Sequence, residues 1–244
     1  MILLTGASGT LGTHIVESKL FSNLLTPSSD QLDVSNSESV RNFFQNNKIE
    51  SIIHCAAIAR ISECEENPEK AIKTNIKGTC NLVNEVLRQE RENSEEVRFI
   101  FISTDGVYEG TKGGYSEKDF TMPYSRYGWT KLGAECSVNV LSNYCIIRTS
   151  FFDPEKINFY ESPEDIYTSK IPIQELVNSI RFLLRSDFAG TINIGGKRKS
   201  YYELYKKYIP NLKPCKYESL KNNPSIKLPK DSSMDISLWE KIKK

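Results

Sequence analysis

Histidine is nearly missing from this 244-residue chain, with only His14 and His54, far apart in sequence. The six cysteines, Cys55, Cys64, Cys80, Cys136, Cys145 and Cys215, form no C-x-x-C pair. Neither a structural zinc nor a His-based metal site is expected, and no metal is assigned. Cys55 and Cys145 sit in apolar runs, where a thiol behaves as a small hydrophobe. Net charge is equally scarce: 32 lysines and arginines against 31 aspartates and glutamates leave +1. That balance gives no electrostatic reason for nucleic acid or an anionic membrane as partner. No apolar run approaches the ~20 residues needed to span a bilayer. The first strand-like run, Ile2–Thr5, begins directly after Met1 and leads into glycine. No secretion signal is therefore expected, and the protein is expected in the reducing cytoplasm with ordinary thiols.

What is present is an alternation of short apolar runs with helix-like stretches, the pattern of a parallel sheet covered on both faces. Strand candidates are Ile2–Thr5, Leu24–Thr26, Ser51–Cys55, Arg98–Ser103 and Tyr144–Arg148. Helix starts are expected near Leu11, at Asn36 (with Ser35-x-x-Glu38 in capping-box form), at Asn67-Pro68 and at Ser125. Beyond Phe152 the pattern changes. Asp153–Lys170 reads as irregular, Ile173–Arg185 as an amphipathic helix and Thr191–Ile194 as a further strand. Ser200-x-x-Glu203 reads as a second capping box, and Pro210–Asp231 as surface loop. The expected fold class is α/β: a doubly wound parallel sheet over 1–152 and a small lobe over 153–244, with 190–196 returning to the sheet.

Thr5-Gly6-Ala7-Ser8-Gly9-Thr10-Leu11-Gly12 follows the first strand and opens a helix. Glycines so spaced make a tight turn, let backbone approach a pyrophosphate, and let the helix pack close to the sheet. The helix N-terminus then offers free N–H groups and partial positive charge to phosphate. The G-x-x-G-x-x-G spacing resembles that of the extended short-chain dehydrogenases/reductases, a Rossmann-type family. The resemblance implies that Gly6, Ser8, Gly9, Thr10, Leu11 and Gly12 bind a dinucleotide. It further implies that Asp33 binds the adenine amino group while Val34 packs on the ring. Ala56, Ala57 and Ile58 would let the cofactor lie against the sheet. Asn75, in Asn75-Ile76-Lys77-Gly78-Thr79, is expected to be a buried support. Serines, Ser28 among them, stand where an acid would select NAD(H). NADP(H) is therefore favoured, with NAD(H) left open by Asp30.

Tyr127-Gly128-Trp129-Thr130-Lys131 places a phenol and an ammonium one helical turn apart on one face. With a tyrosine pKa of about 10, a nearby Lys131, together with the positive nicotinamide of an oxidised cofactor, is expected to favour the phenolate. The resemblance implies that Tyr127 would exchange a proton with the substrate oxygen, that Lys131 would also bind the nicotinamide ribose, and that Thr104 would hold the substrate oxygen. Ser103, at the same strand end, is assigned to the cofactor. Ser103–Gly110, Pro123–Glu135, Ile147–Phe152 and the tail Ser232–Ser237 resemble the dTDP-4-dehydrorhamnose reductase family. The resemblance implies reduction of a 4-keto-6-deoxy sugar on a nucleotide carrier. Gly106 follows Asp105 where dehydratases of the superfamily carry glutamate, so dehydration is not expected. The 153–172 segment is shorter than in those reductases. The alternatives are a nucleotide-sugar epimerase and a non-catalytic NAD(P)-binding regulatory subunit, and an exposed apolar helix face leaves a homodimer open.

Overall fold

Five short segments carry the sheet core, and each alternates its side chains between two helical layers. The structure is a computed structural model and describes residues 1–220 and 228–244. Strands β1 (Ile2–Thr5), β2 (Leu24–Leu25), β3 (Ser51–His54), β4 (Arg98–Ile102) and β5 (Tyr144–Thr149) pair in parallel. Gly190–Ile194 adds a sixth parallel strand beside β5, giving the order Gly190–Ile194, β5, β4, β3, β1, β2. Because strand side chains alternate faces, Leu3, Ile52, Phe99, Phe101 and Ile146 point to one layer and Leu4, Ile53, Ile100 and Ile147 to the other.

Helices α1 (Thr10–Glu17), α2 (Ser37–Asn46), α3 (Ile61–Glu66), α4 (Pro68–Ala71), α5 (Gly78–Asn93), α6 (Arg126–Val138), α7 (Ile173–Leu184) and α8 (Tyr201–Tyr205) follow in chain order. The first layer receives Val40 and Phe44 of α2, Leu82 and Val86 of α5, and Ala134 and Val138 of α6. The second receives Leu11 and Ile15 of α1 and Leu176, Val177, Ile180 and Leu183 of α7. Thus α7 and the Gly190–Ile194 strand, although they follow residue 152, complete the sheet and its covering layer. Among the described residues no helix is long and apolar enough to cross a membrane. All six cysteines are free thiols.

Several local expectations need correction. Asn36, not Ser35, caps α2: its Oδ1 accepts from the Glu38 and Ser39 amides at 3.0 and 3.3 Å. The Ser35 hydroxyl is already spent, donating to Asp33 Oδ1 at 2.7 Å. Asn67 makes no side-chain cap; its amide donates to Glu63 O at 2.9 Å, so it is a joint between α3 and α4 rather than a free helix start. Between α4 and α5 the chain runs through a π-helical segment, Ile72–Lys77. The supposedly irregular 153–170 contains short strands at Glu161–Pro163 and Tyr167–Thr168. Within Pro210–Asp231, Lys213–Cys215 pairs with Glu161–Pro163, and Tyr217–Leu220 is a turn of helix; 221–227 lies outside the described residues. The Ser200/Glu203 capping box forms in both directions, at 2.9 and 3.1 Å.

Candidate functional site

At the C-terminal edge of β1 the glycine loop is packed so tightly that side chains do not fit. Gly6 has φ of +70°, and a Cβ there would fall 2.6 Å from Ala56 N at the end of β3. A Cβ on Gly12 would fall 2.2 Å from the Gly6 carbonyl oxygen. Gly9 precedes α1 and no side chain caps the helix. Its first amides, which have no intrahelical acceptor, are left for a ligand. This crevice between β1 and β3 is where the strand order reverses, the place where doubly wound sheets bind dinucleotides. The cradle fits a pyrophosphate.

Three connected clefts extend along this edge. The first, ≈ 540 Å³, is lined by Gly6, Ser8, Ser28, Asp33, Val34 and Ala56 among others. The second, ≈ 390 Å³, shares Gly6 and continues over Gly9–Gly12, Ala57, Tyr127 and Lys131. The third, ≈ 270 Å³, shares Tyr127 and Ile102 with the second and adds Ser103, Thr104 and Asp105. Every expected site residue lines one of them except Ile58. Asn75 holds the Ile58 backbone on both sides, accepting from its amide at 2.8 Å and donating to its carbonyl at 3.0 Å. Asn75 also donates to Thr130 Oγ1 at 2.8 Å, tying the loop after β3 to α6. The π-helical turn that carries Asn75 thus sits behind the site, a common place for such turns. Ser103 lines the third cleft rather than the first two, and its hydroxyl donates to Glu135 at 2.5 Å.

Thr104, two residues past β4, caps the 3-10 turn Asp105–Val107, with its Oγ1 accepting from Gly106 N at 3.0 Å and donating to Asp105 Oδ1 at 3.2 Å. Tyr127 and Lys131 lie on the first turns of α6, which Ser125 caps by accepting from Gly128 N at 3.2 Å. Lys131 is 3% exposed, with Nζ 3.9 Å from the centre of the Phe101 ring. Burial pulls its pKa down to about 8, against the weaker opposing pull of Cys55 and Glu135. Burial, with Asp105 and Cys64 adding, drives the Tyr127 pKa up, and only the Thr104 hydroxyl opposes. In the free protein Tyr127 is a phenol, a proton donor.

Behind the site lie charged and polar groups that the motif reading did not reach. Arg148 donates to Glu135 through Nε and Nη2, the latter at 2.7 Å, and to Tyr108 OH through Nη1 at 3.0 Å. An arginine inside the apolar run Tyr144–Thr149 was a readable signal, since a buried cation needs a carboxylate. His54 lies between Thr5 Oγ1 at 2.6 Å and Thr79 Oγ1 at 2.9 Å. Burial, aided by Lys131, takes its pKa down to about 3, so it is neutral. Lys170 and Tyr201 line the third cleft and come from the part of the chain without motifs.

Comparison with known proteins supplies a frame for these groups. The profile of the RmlD substrate binding domain matches residues 1–163. Methionine adenosyltransferase 2 subunit beta of Mus musculus is 32% identical over 146 residues, 56% of this chain and 42% of that protein. A dTDP-4-keto-6-deoxy-D-glucose reductase of Streptomyces niveus is 32% identical over 156 residues, 61% of this chain and 51% of that protein. The chain spans about half the length of the curated relatives it matches. The crystal structure of a dTDP-4-dehydrorhamnose reductase from Clostridium acetobutylicum superposes with a TM-score of 0.85 at 27% identity, covering 98% of this chain and 91% of the other.

Proposed function

Because the chain belongs to the RmlD substrate binding domain family, we propose that it is an oxidoreductase that reduces the carbonyl of a 4-keto-6-deoxy sugar carried on a nucleotide. The observation that carries this reading is the position of Tyr127, shared by the cleft over the glycine loop and the cleft beside Thr104. A sugar carbonyl in the third cleft and a dinucleotide along the first two would meet at that phenol.

The dinucleotide, when bound, supplies hydride to the carbonyl carbon. Gly6, Gly9 and the α1 amides would hold its pyrophosphate, and Asp33 and Val34 its adenine. At the ribose end the cleft presents Ser28, Ser29 and Gln31, while Asp30 is not part of its lining. Hydroxyls accept a 2′-phosphate more readily than a carboxylate does, which supports NADP(H) over NAD(H). Lys131 would donate to the nicotinamide ribose. Thr104 would turn its hydroxyl from Asp105 to the carbonyl oxygen and orient it. Tyr127 would then deliver its phenolic proton to that oxygen as negative charge develops, a contribution of roughly 10²–10⁴ in rate. The raised pKa keeps Tyr127 protonated at neutral pH, as the reductive direction requires. Ala59, Ile61 and Leu228 form an apolar side of the cleft suited to a 6-deoxy methyl group.

The test is to titrate the protein with NADPH and NADH, add dTDP- and UDP-linked 4-keto-6-deoxyglucose, and follow reduced-nicotinamide absorbance. Turnover that Tyr127→Phe abolishes, with cofactor binding retained, supports the reductase. One specific observation favours a second reading, a regulatory subunit on the same fold: the similarity to methionine adenosyltransferase 2 subunit beta. Cofactor binding without turnover of any keto sugar would favour it. Absence of cofactor binding would refute both.

A further inference from the structure

Lys170 is the one cation lining the third cleft among the described residues. Its Nζ lies 5.0 Å from the centre of the Tyr201 ring, and it makes no ion pair among the described residues. Its ammonium also hydrogen-bonds Tyr201, and the remaining donors are left to whatever enters the cleft.

The position is built rather than incidental. Lys170 N donates to Thr168 Oγ1 at 3.2 Å, while the flanking Ser169 O accepts from Gly196 N at 2.7 Å and Ile171 N donates to Ser150 O at 3.1 Å. Tyr201 opens α8, whose start is fixed by the Ser200–Glu203 capping box. Ammonium and phenol are therefore pinned from two separate segments. Asp105 lines the same cleft and is 9% exposed. Burial raises its pKa, against the opposing pull of Lys170 and of hydrogen bonds with Ser232, Thr104 and Ser150. The Tyr201, Tyr205 and Asp105 groups in turn outweigh the effect of burial on Lys170 and keep it charged.

An amino group on the sugar would meet the Lys170 ammonium unfavourably, and Asp105, whose pKa burial raises, would do little to offset it. A hydroxyl suits both groups, accepting from the ammonium and sharing a hydrogen bond with the Asp105 carboxyl. We propose that Lys170 determines substrate specificity by donating to a sugar hydroxyl next to the reacting carbonyl, so that the cleft takes neutral, hydroxylated keto sugars. This rests on the reductase reading of the same cleft.

Binding tests it without turnover. Calorimetry on NADPH-loaded protein would compare dTDP- and UDP-linked 6-deoxyhexoses with the analogues lacking the 3-hydroxyl. Wild type should bind the hydroxylated sugars more tightly. Lys170→Met should weaken them by about 10–100-fold and leave the 3-deoxy analogues unchanged, with NADPH affinity intact as a check on folding. Lys170→Arg should retain part of the discrimination. Equal binding of both analogues by wild type, or equal losses on both in Lys170→Met, would overturn the role of Lys170 and leave the reductase reading standing. If Lys170→Met does not fold, Lys170→Gln takes its place, and unchanged preference for the 3-hydroxyl in that variant would overturn the role of Lys170. Failure of wild type to bind any nucleotide-sugar would overturn the reductase reading and the proposal with it.

Discussion

Replacing Lys131 with methionine should stabilise the cofactor-free protein while abolishing catalysis. Lys131 is almost fully enclosed, and its nearest carboxylate, Glu135, is already engaged by Arg148. Burial brings the ammonium from an ordinary 10.5 to about 8. A lysine depressed in the folded state opposes folding in full below the folded pKa. The penalty is relieved as pH climbs toward the unfolded value, because the unfolded chain binds more protons across that window. The gap corresponds to about 3 kcal/mol at neutral pH, an upper figure, since the Phe101 face returns roughly 0.5–2 kcal/mol of cation–π attraction. Methionine matches the stem in volume and leaves no buried charge. Urea unfolding of both proteins without cofactor, from about pH 7 to 10.5, measures the difference directly. Lys131→Met should be the more stable at pH 7. The advantage should shrink between pH 8 and 10.5 as wild type gains stability relative to the variant. A variant less stable at pH 7, or a difference that does not change with pH, would refute the reasoning.

Other substitutions probe other links. Gly12→Ala forces a methyl to 2.2 Å from the Gly6 carbonyl, so the loop must open; NADPH affinity measured by fluorescence should fall at least tenfold. Arg148→Met leaves the Glu135 carboxylate, 2% exposed, without its cation. It should cost about 3–5 kcal/mol in urea unfolding, while pairing it with Glu135→Leu should recover most of the loss. Equal stability of the single and double variants would contradict that account.

The sheet and the glycine loop were legible because their signals are local. Apolar runs of four to six residues, and glycines whose spacing is itself the geometry, need no long-range information. Tyr127 and Lys131 were legible for the same reason, being one helical turn apart. The capping of α2 was misjudged because Ser35 and Asn36 are both good cap residues, and only the position of Asp33 decides which hydroxyl is spent elsewhere. Where the Lys131 ammonium sits was not legible, because helical spacing brings it near Tyr127 without fixing its contacts; the Phe101 ring, from β4, is centred 3.9 Å from it. Lys170 and Tyr201 carried no motif, and nothing in the tail Ser232–Ser237 showed that Ser232 shares a cleft with them.

That division has a consequence for the protein while it is being made. The residues lining the first two clefts fall between Thr5 and Lys156, whereas the third cleft waits for Lys170, Tyr201 and finally Ser232. At about 5–20 residues per second, translation separates Lys156 from Ser232 by roughly 4–15 s. A nascent chain thus exposes its glycine loop well before the third cleft can close. On the reductase reading, substitutions in the late segments could redirect substrate choice while leaving the early half, with its glycine loop, unaltered.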